Sequence, residues 1–130
     1  MTPLLCCVDD ENKVPMADPE LGLIPALVRI LHDDWTTPSL GIAACSVLWG
    51  LADAPENRIN MVHPSFNLLP AMVHVLRREQ NPPEFKAQIC GICRSLAVLG
   101  DNKPILGELK LGLVHQLIKR MYEPDEFNLR

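Results

Sequence analysis

The sequence predicts an all-α protein, a solenoid of about three stacked helical repeats, and two observations support that prediction. Residues 10–54 align without a gap on residues 55–99, and 13 pairs at this offset of 45 are identical, whereas chance gives roughly 3 at typical residue frequencies. Within each copy, apolar residues recur every three or four positions, which is typical of amphipathic helices. A period of this length indicates helical units that bury their apolar faces against one another.

The repeat register divides the chain into four parts. Residues 10–54 form a first repeat, residues 55–99 a second, and residues 100–130 an incomplete third repeat. Residues 1–9 fall where a preceding repeat would end its last helix. Both ends interrupt a repeat, and terminal repeats normally need polar caps. We therefore expect exposed apolar end faces that contact neighbouring repeats or cause self-association. This expectation rests on Leu4, Leu5, Val8, Met121, Phe127 and Leu129.

Each repeat is predicted to contain one short helix and two longer ones. The short helix begins near an acidic residue followed by asparagine, because negative charge suits a helix N-terminus. Pro19 and Pro64 should end it. The second helices are predicted over residues 24–33, 69–80 and 114–123, and the third helices over residues 39–52 and 84–99. We expect burial of Leu27, Leu31, Val47, Leu51, Met72, Leu76, Ile92, Leu96 and Leu117.

Composition limits the classes of function. A net charge of −4 argues against general nucleic-acid binding, which needs a basic face. The longest uncharged apolar stretch, residues 40–52, has 13 residues and is too short to span a bilayer. The N-terminal residues lack the basic and apolar regions of a signal peptide. The five cysteines are odd in number, and three lie in apolar helical patterns. They favour reduced thiols and a cytoplasmic or nuclear location. From the net charge and the short apolar stretch we expect a protein that binds neither nucleic acid nor membrane.

Three consecutive segments resemble the armadillo repeat. Residues 22–31 are similar to its second helix, residues 43–52 to its third helix, and residues 55–58 to the start of the next repeat. The resemblance extends over nearly the whole chain. It implies an armadillo-like, right-handed α-solenoid that acts as a non-catalytic protein-protein interaction module and presents a curved groove to a protein or peptide. HEAT repeats, which have a similar period but two helices per unit, are the close alternative.

The resemblance also implies where a partner would bind. Third helices line the concave groove of armadillo proteins, which places Trp49 and Arg94 there, one repeat apart. Both residue types dominate binding hot spots, because tryptophan buries a large area and arginine makes forked hydrogen bonds. Ser46 and Gly50 should leave room beside Trp49 for an incoming side chain. The alternative is that Trp49 packs against a neighbouring repeat. The candidate face comprises Ser46, Trp49, Gly50, Asp53, Gly91, Arg94 and Ser95.

The chain departs from peptide-binding armadillo proteins at two third-helix positions. Gly50 and Ser95 stand where those proteins often have asparagine, and Ser46 and Gly91 stand where nuclear-import receptors have tryptophan. The asparagine ladder that holds an extended peptide is therefore missing. We do not expect recognition of nuclear-localisation peptides by that mechanism.

A basic stripe on the second helices is another candidate surface. Arg29, His74 and Lys119 are equivalent at the offset of 45, and stacked together they would attract an acidic partner. The alternative is an ordinary solvated helix face whose charges suit the C-terminal end of the helix dipole. The stripe comprises Arg29, His74, Arg77, Arg78 and Lys119.

Cys90 and Cys93 have the spacing of a redox or metal-binding dithiol. A thioredoxin-type motif begins at a helix N-terminus, whereas these residues fall within a helix and align with Cys45 and Leu48. A zinc site needs four ligands, and no second pair at ligand spacing is present. We therefore expect reduced, poorly accessible thiols, no metal, no cofactor and no enzymatic activity. Two alternatives to the protein-interaction module stay open. One is a structural segment of a larger repeat scaffold, and the other is a thiol-redox or metal-binding helical protein that uses Cys90 and Cys93.

Overall fold

The computed structural model describes residues 10–108 and 112–122, and within these ranges every regular element is helical and no strand is present. The first unit comprises α1 (Asp10–Met16), α2 (Leu23–His32) and α3 (Pro38–Ala52). The second comprises α4 (Pro55–Met61), α5 (Leu68–Arg77) and α6 (Pro83–Ala97), and α7 (Lys103–Leu106) and α8 (Leu113–Tyr122) follow. Single 3₁₀ turns lie at Pro19–Leu21, Pro64–Phe66 and Gly100–Asn102. The all-α prediction is confirmed for this part of the chain.

The helix boundaries recur with the sequence period. Both ends of α1, α2 and α3 reappear 45 residues later as the ends of α4, α5 and α6, and α8 begins 45 residues after α5. Each second helix follows a residue with left-handed backbone, at φ 79° for Gly22, 60° for Asn67 and 80° for Gly112. Glycine adopts this conformation without steric cost and asparagine tolerates it, so the same turn starts each second helix.

The second helices end earlier than predicted, because side chains from the following loop cap them. α5 ends at Arg77 rather than at residue 80. The Asn81 amide donates a 2.9 Å hydrogen bond to the carbonyl of Val75. In the first unit the hydroxyl of Thr36 donates a 2.7 Å hydrogen bond to the carbonyl of Ile30. Because these side chains satisfy carbonyls that a longer helix would use, they stabilise the turn instead.

Like helices of successive units pack against each other. α3 lies against α6, α2 against α5, α5 against α8, and α1 against α4. The core between them is apolar, with Leu48 and Ile89 fully buried. Of the nine residues expected to be buried, seven are buried, whereas Val47 and Leu117 are half-buried. Those two lie in the first and last described units, each of which has a described neighbour on one side only.

Two buried asparagines join the units. The Asn57 amide donates 2.9 Å hydrogen bonds to the carbonyls of Lys13 and Leu51. The Asn102 amide, 45 residues on, donates to the carbonyls of Arg58 and Leu96 at 2.9 and 3.0 Å. Each asparagine therefore ties a new unit to the first and third helices of the unit before it. The bond to the carbonyl of residue 96 also helps to end α6 at Ala97, two residues before the predicted end.

The residues behind the predicted apolar end faces lie outside the part that the structure describes. This applies to Leu4, Leu5, Val8, Phe127 and Leu129, and to the side chain of Met121.

Candidate functional site

Trp49 lies on the seam between the third helices α3 and α6. Its six-membered ring lies so close to Gly91 that a Cβ atom at that position would be 2.5 Å from Cη2 of the indole. Phe85 makes the reciprocal contact, because its ring occupies the space that a Cβ atom on Gly41 would need. Each helix thus inserts one aromatic ring over a glycine of the other. Trp49 is consequently half-buried and packs against the core.

The small residues beside Trp49 do not leave an open space. Ser46 and Ser95 are 1% and 8% exposed, and Gly50 is buried as well. The hydroxyl of Ser46 donates a 3.1 Å hydrogen bond to the carbonyl of Ile42 within its own helix. The expectation of room for an incoming side chain at Ser46 and Gly50 is wrong, because small residues here allow neighbouring helices to approach α3 closely.

What remains accessible of the predicted face is a charged patch. Asp53 and Arg94 are exposed, one at the end of α3 and the other in α6. The hydroxyl of Ser95 donates a 3.3 Å hydrogen bond to Asp53 Oδ1, which joins the end of α3 to α6. We call Trp49, Asp53 and Arg94 the third-helix patch. It combines an aromatic edge, an anion and a cation on two packed helices.

The basic stripe is partly neutralised by an acid from the first unit. His74 Nε2 lies 2.7 Å from Asp34 Oδ1, and Nη1 of Arg78 lies 2.5 Å from the same oxygen. Hydrogen bonds from His74 and then Arg78 hold the pKa of Asp34 below its ordinary value. The rings of His32 and His74 have centroids 5.8 Å apart. The exposed cations of the stripe are Arg29, Arg77 and Lys119.

Trp35 is an exposed aromatic residue that belongs to neither candidate surface predicted from the sequence. It is 92% exposed, in the loop between α2 and α3. Its backbone N–H donates a 2.9 Å hydrogen bond to Oδ1 of Asp33, which fixes the loop locally. Trp35 follows Asp34 directly, so it lies beside the basic stripe. The available signal was a tryptophan among turn-forming residues, where no apolar helical face could bury it.

Cys45, Cys90 and Cys93, the cysteines of the described residues, are not in disulfides and have different surroundings. Cys45 is buried, and its burial raises the pKa of the thiol to about 12. Burial, reinforced by neighbouring Cys90, raises the pKa of Cys93 to about 12. Cys90 and Cys93 are half-buried rather than closed off, because they line an open groove beside α8. The expectation of poor access is confirmed for Cys45 and does not hold for Cys90 and Cys93, which are half-buried.

Two further observations concern the described residues as a set. No group of three or more histidine, cysteine, aspartate and glutamate side chains among residues 10–108 and 112–122 could hold a metal ion. The helices in these ranges are too short or too polar to cross a membrane.

Compared with known proteins, the chain matches no family model, no curated protein and no solved structure.

Proposed function

We propose that the protein is a non-catalytic protein-interaction module, built as an armadillo-like, right-handed α-solenoid, that binds a protein or peptide through its third helices. The observation behind this proposal is the stacking of α3 on α6, which aligns two long helices in one rigid surface. A preformed surface limits the entropy cost of binding. Three helices in each complete unit fit the armadillo pattern better than the two helices of HEAT repeats.

The third-helix patch is the best candidate for the contact. Asp53 and Arg94 present opposite charges from adjacent units, so the complementary partner offers a cation to one and an anion to the other. Half-buried Trp49 adds apolar area between the helices. An extended peptide held by an asparagine ladder is not the proposed ligand, because Gly50 is buried and the hydroxyl of Ser95 already binds Asp53.

Trp49 is a poor probe of this site, because it also supports the fold. Truncating it would uncover Gly91 and remove packing between α3 and α6. Arg94 is exposed, so its charge can be reversed with little effect on stability. Arg29 is also an exposed arginine but belongs to the basic stripe. These two residues form a matched pair of probes for the two candidate surfaces.

A photo-crosslinking experiment identifies the partner and the surface together. A photoreactive amino acid is placed at Arg94, at Arg29 or at Glu56, an exposed residue of α4 that serves as the control. We expect one protein to be captured from Arg94 and not from the other two sites. Capture from Arg29 alone would indicate that the partner binds the basic stripe rather than the third-helix patch. Capture from no site would favour the structural-segment alternative.

We place the protein in the cytoplasm or the nucleus. The motivating observation is that Cys45, Cys90 and Cys93 form no disulfide in the described part of the chain. Oxidising compartments favour disulfides. Fluorescence microscopy of the tagged chain tests this assignment, and secretion into the medium would contradict it.

A further inference from the structure

Two open grooves lie between successive units on the side of the first helices. The first groove, of about 520 Å³, lies between α1, α4 and the 3₁₀ turn that follows α4. The second groove, of about 330 Å³, lies one unit further on, between that turn, the start of α5 and α7. Five positions recur from one groove to the other at the offset of 45: Ala17, Asp18, Pro19, Asn60 and His63 correspond to Val62, His63, Pro64, Ile105 and Glu108.

A following unit does not close a groove of this kind. The first groove is built by the first and second units, with lining residues between Val14 and Phe66 that are all described. It stays open although α7, which begins the third unit, follows in the chain. The third unit instead helps to build the second groove. Stacking units therefore adds grooves along this side rather than filling them.

The walls of both grooves are largely apolar. Pro15 and Pro19 line the first groove, together with Val14, which is 44% exposed. Pro64 and Pro70 line the second. Because proline has no backbone N–H, these walls offer few hydrogen-bond donors. They suit aliphatic or proline side chains of a ligand.

Asp18, His63 and Glu108 form a row along the grooves, with one residue from each unit. His63 lines both grooves, whereas Asp18 lines the first and Glu108 the second. The backbone N–H of Ser65 donates a 3.1 Å hydrogen bond to Nδ1 of His63, so the neutral ring carries its proton on Nε2. That N–H can donate to a carbonyl oxygen of a ligand that crosses from one groove to the other.

The charges of the lining favour a basic ligand. Among the described residues that line the two grooves, Asp18 and Glu108 are acidic and none is lysine or arginine. Asp18 is exposed, and its Oδ1 accepts a 3.0 Å hydrogen bond from the backbone N–H of Glu20. This bond holds the carboxylate in place, and the second oxygen can pair with a cation of the ligand.

We infer that the two grooves bind one extended, proline-rich segment of a partner protein, with an apolar side chain in each groove and basic residues at both ends, facing the acidic members of the row. The repeat spacing supports this occupant. Packed helices of successive units are about 8–10 Å apart, and polyproline II places residues i and i+3 on one face, about 9 Å apart. The grooves share no residue with the third-helix patch, so each surface can fail without affecting the other.

The probe is the synthetic peptide Arg-Pro-Leu-Pro-Pro-Leu-Pro-Arg with a fluorophore at its N-terminus. Fluorescence anisotropy follows its titration with the full chain. A spacing control, Arg-Pro-Leu-Pro-Leu-Pro-Pro-Arg, has the same composition but places its leucines on different faces of polyproline II. A charge control has glutamate in place of both arginines. We expect saturable binding of the probe, at least ~10-fold tighter than that of either control, about 1.4 kcal/mol.

Variants of the chain locate the bound peptide. Asp18→Asn should weaken the probe by about 3-fold, because it removes the charge but keeps an acceptor for the N–H of Glu20. Val14→Asn should weaken it by at least ~5-fold, because it makes the wall of the first groove polar. Val98→Asn is the matched control, since Val98 is an exposed valine outside both grooves. It should change the affinity by less than ~1.5-fold.

Nuclear magnetic resonance of the isotope-labelled chain reports the site without any substitution. Saturating probe should shift the ring signals of His63 and the side-chain amide of Asn60 and leave the backbone amide of Arg94 unchanged. Equal affinity for the probe and either control, or no saturable binding below ~1 mM, would overturn the inference. Shifts centred on Arg94 would do the same, because the peptide would then lie on the third-helix patch. Signals of His63 that move with protein concentration alone would mean that a second copy occupies the grooves instead.

Discussion

The indole ring of Trp49 lies directly over Gly91, one repeat further along the chain and on the adjacent third helix. The contact needs both residues, because the ring occupies the place of a glycine's missing side chain. It closes the surface that would otherwise open between α3 and α6. The pair therefore gives a direct measure of whether the repeats stack as described.

Gly91→Ala should lower the free energy of unfolding by about 1–2 kcal/mol, because the new methyl group would displace the ring of Trp49. In a Trp49→Ala background Gly91→Ala should raise the free energy of unfolding by roughly 0.5–1 kcal/mol. Without the clash with the indole, only the higher helix propensity of alanine over glycine acts. Urea denaturation followed by far-ultraviolet circular dichroism gives both values. Gly100→Ala is the control, since no atom lies near its added methyl group. Additive effects of the two main substitutions would contradict the contact.

Asn57→Ala should lower the free energy of unfolding by about 2–4 kcal/mol. It removes two hydrogen bonds and leaves the carbonyls of Lys13 and Leu51 without this donor. Asn12 is the equivalent asparagine of the first unit and is exposed. Asn12→Ala should therefore change stability by less than ~0.5 kcal/mol. Equal losses for both variants in the same denaturation experiment would refute the role of the buried asparagine.

The Asp34 contacts predict a pH dependence in acid. Hydrogen bonds from His74 and Arg78 lower the pKa of Asp34 in the folded state, so the folded protein favours the ionised form more than the unfolded chain does. The resulting stability is fully present above the unfolded pKa of about 3.9 and is lost as the pH falls through the lower folded value. The effect should be small, because Asp34 is largely exposed and its two partners are partly exposed, so that solvent screens the interaction.

Asp34→Asn provides the measurement for this prediction. The urea midpoint of the wild type should exceed that of Asp34→Asn near neutrality, and the two should converge below about pH 4. Arg78→Ala should reduce the gap at neutral pH because it removes one partner of Asp34. A constant gap down to pH ~2 would contradict the assignment.

The thiol of Cys93 should react slowly for an electrostatic reason. With a pKa of about 12, only about one molecule in 10⁴ is thiolate at pH ~8. Its alkylation rate should therefore rise nearly tenfold for each added pH unit over the range in which the protein stays folded. Peptide mapping after timed alkylation measures this rate, and free cysteine is the reference. A rate that levels off near pH ~9 would mean that burial does not control this thiol.

The helices and their period could be predicted from sequence because both depend on local patterns. Proline positions, apolar spacing and the offset of 45 locate α1 to α6 to within a few residues. The outward face of α3 could not be assigned in this way. Ser46 and Gly50 are small residues of the kind that an open surface could carry. They are buried because α3 packs against helices of its own unit and of the next unit.

The role of the buried asparagines could not be predicted from local patterns either. Glu56-Asn57 has the pattern of a helix start, and only the stacked unit shows that Asn57 donates to two carbonyls of the preceding unit. Long-range packing between units determines this role, and the repeat pattern contains no signal for it.

The affinity of the crosslinked partner for Arg94→Glu, compared with Arg29→Glu, tests the central claim most directly. The two variants make the same change in net charge at exposed sites on different helices. If the third-helix patch binds the partner, Arg94→Glu should weaken binding by at least ~10-fold, about 1.4 kcal/mol, and Arg29→Glu by less than ~2-fold. Calorimetric titration with the purified partner gives both constants. Unchanged affinity for Arg94→Glu, or an equal loss in both variants, would contradict a third-helix binding surface.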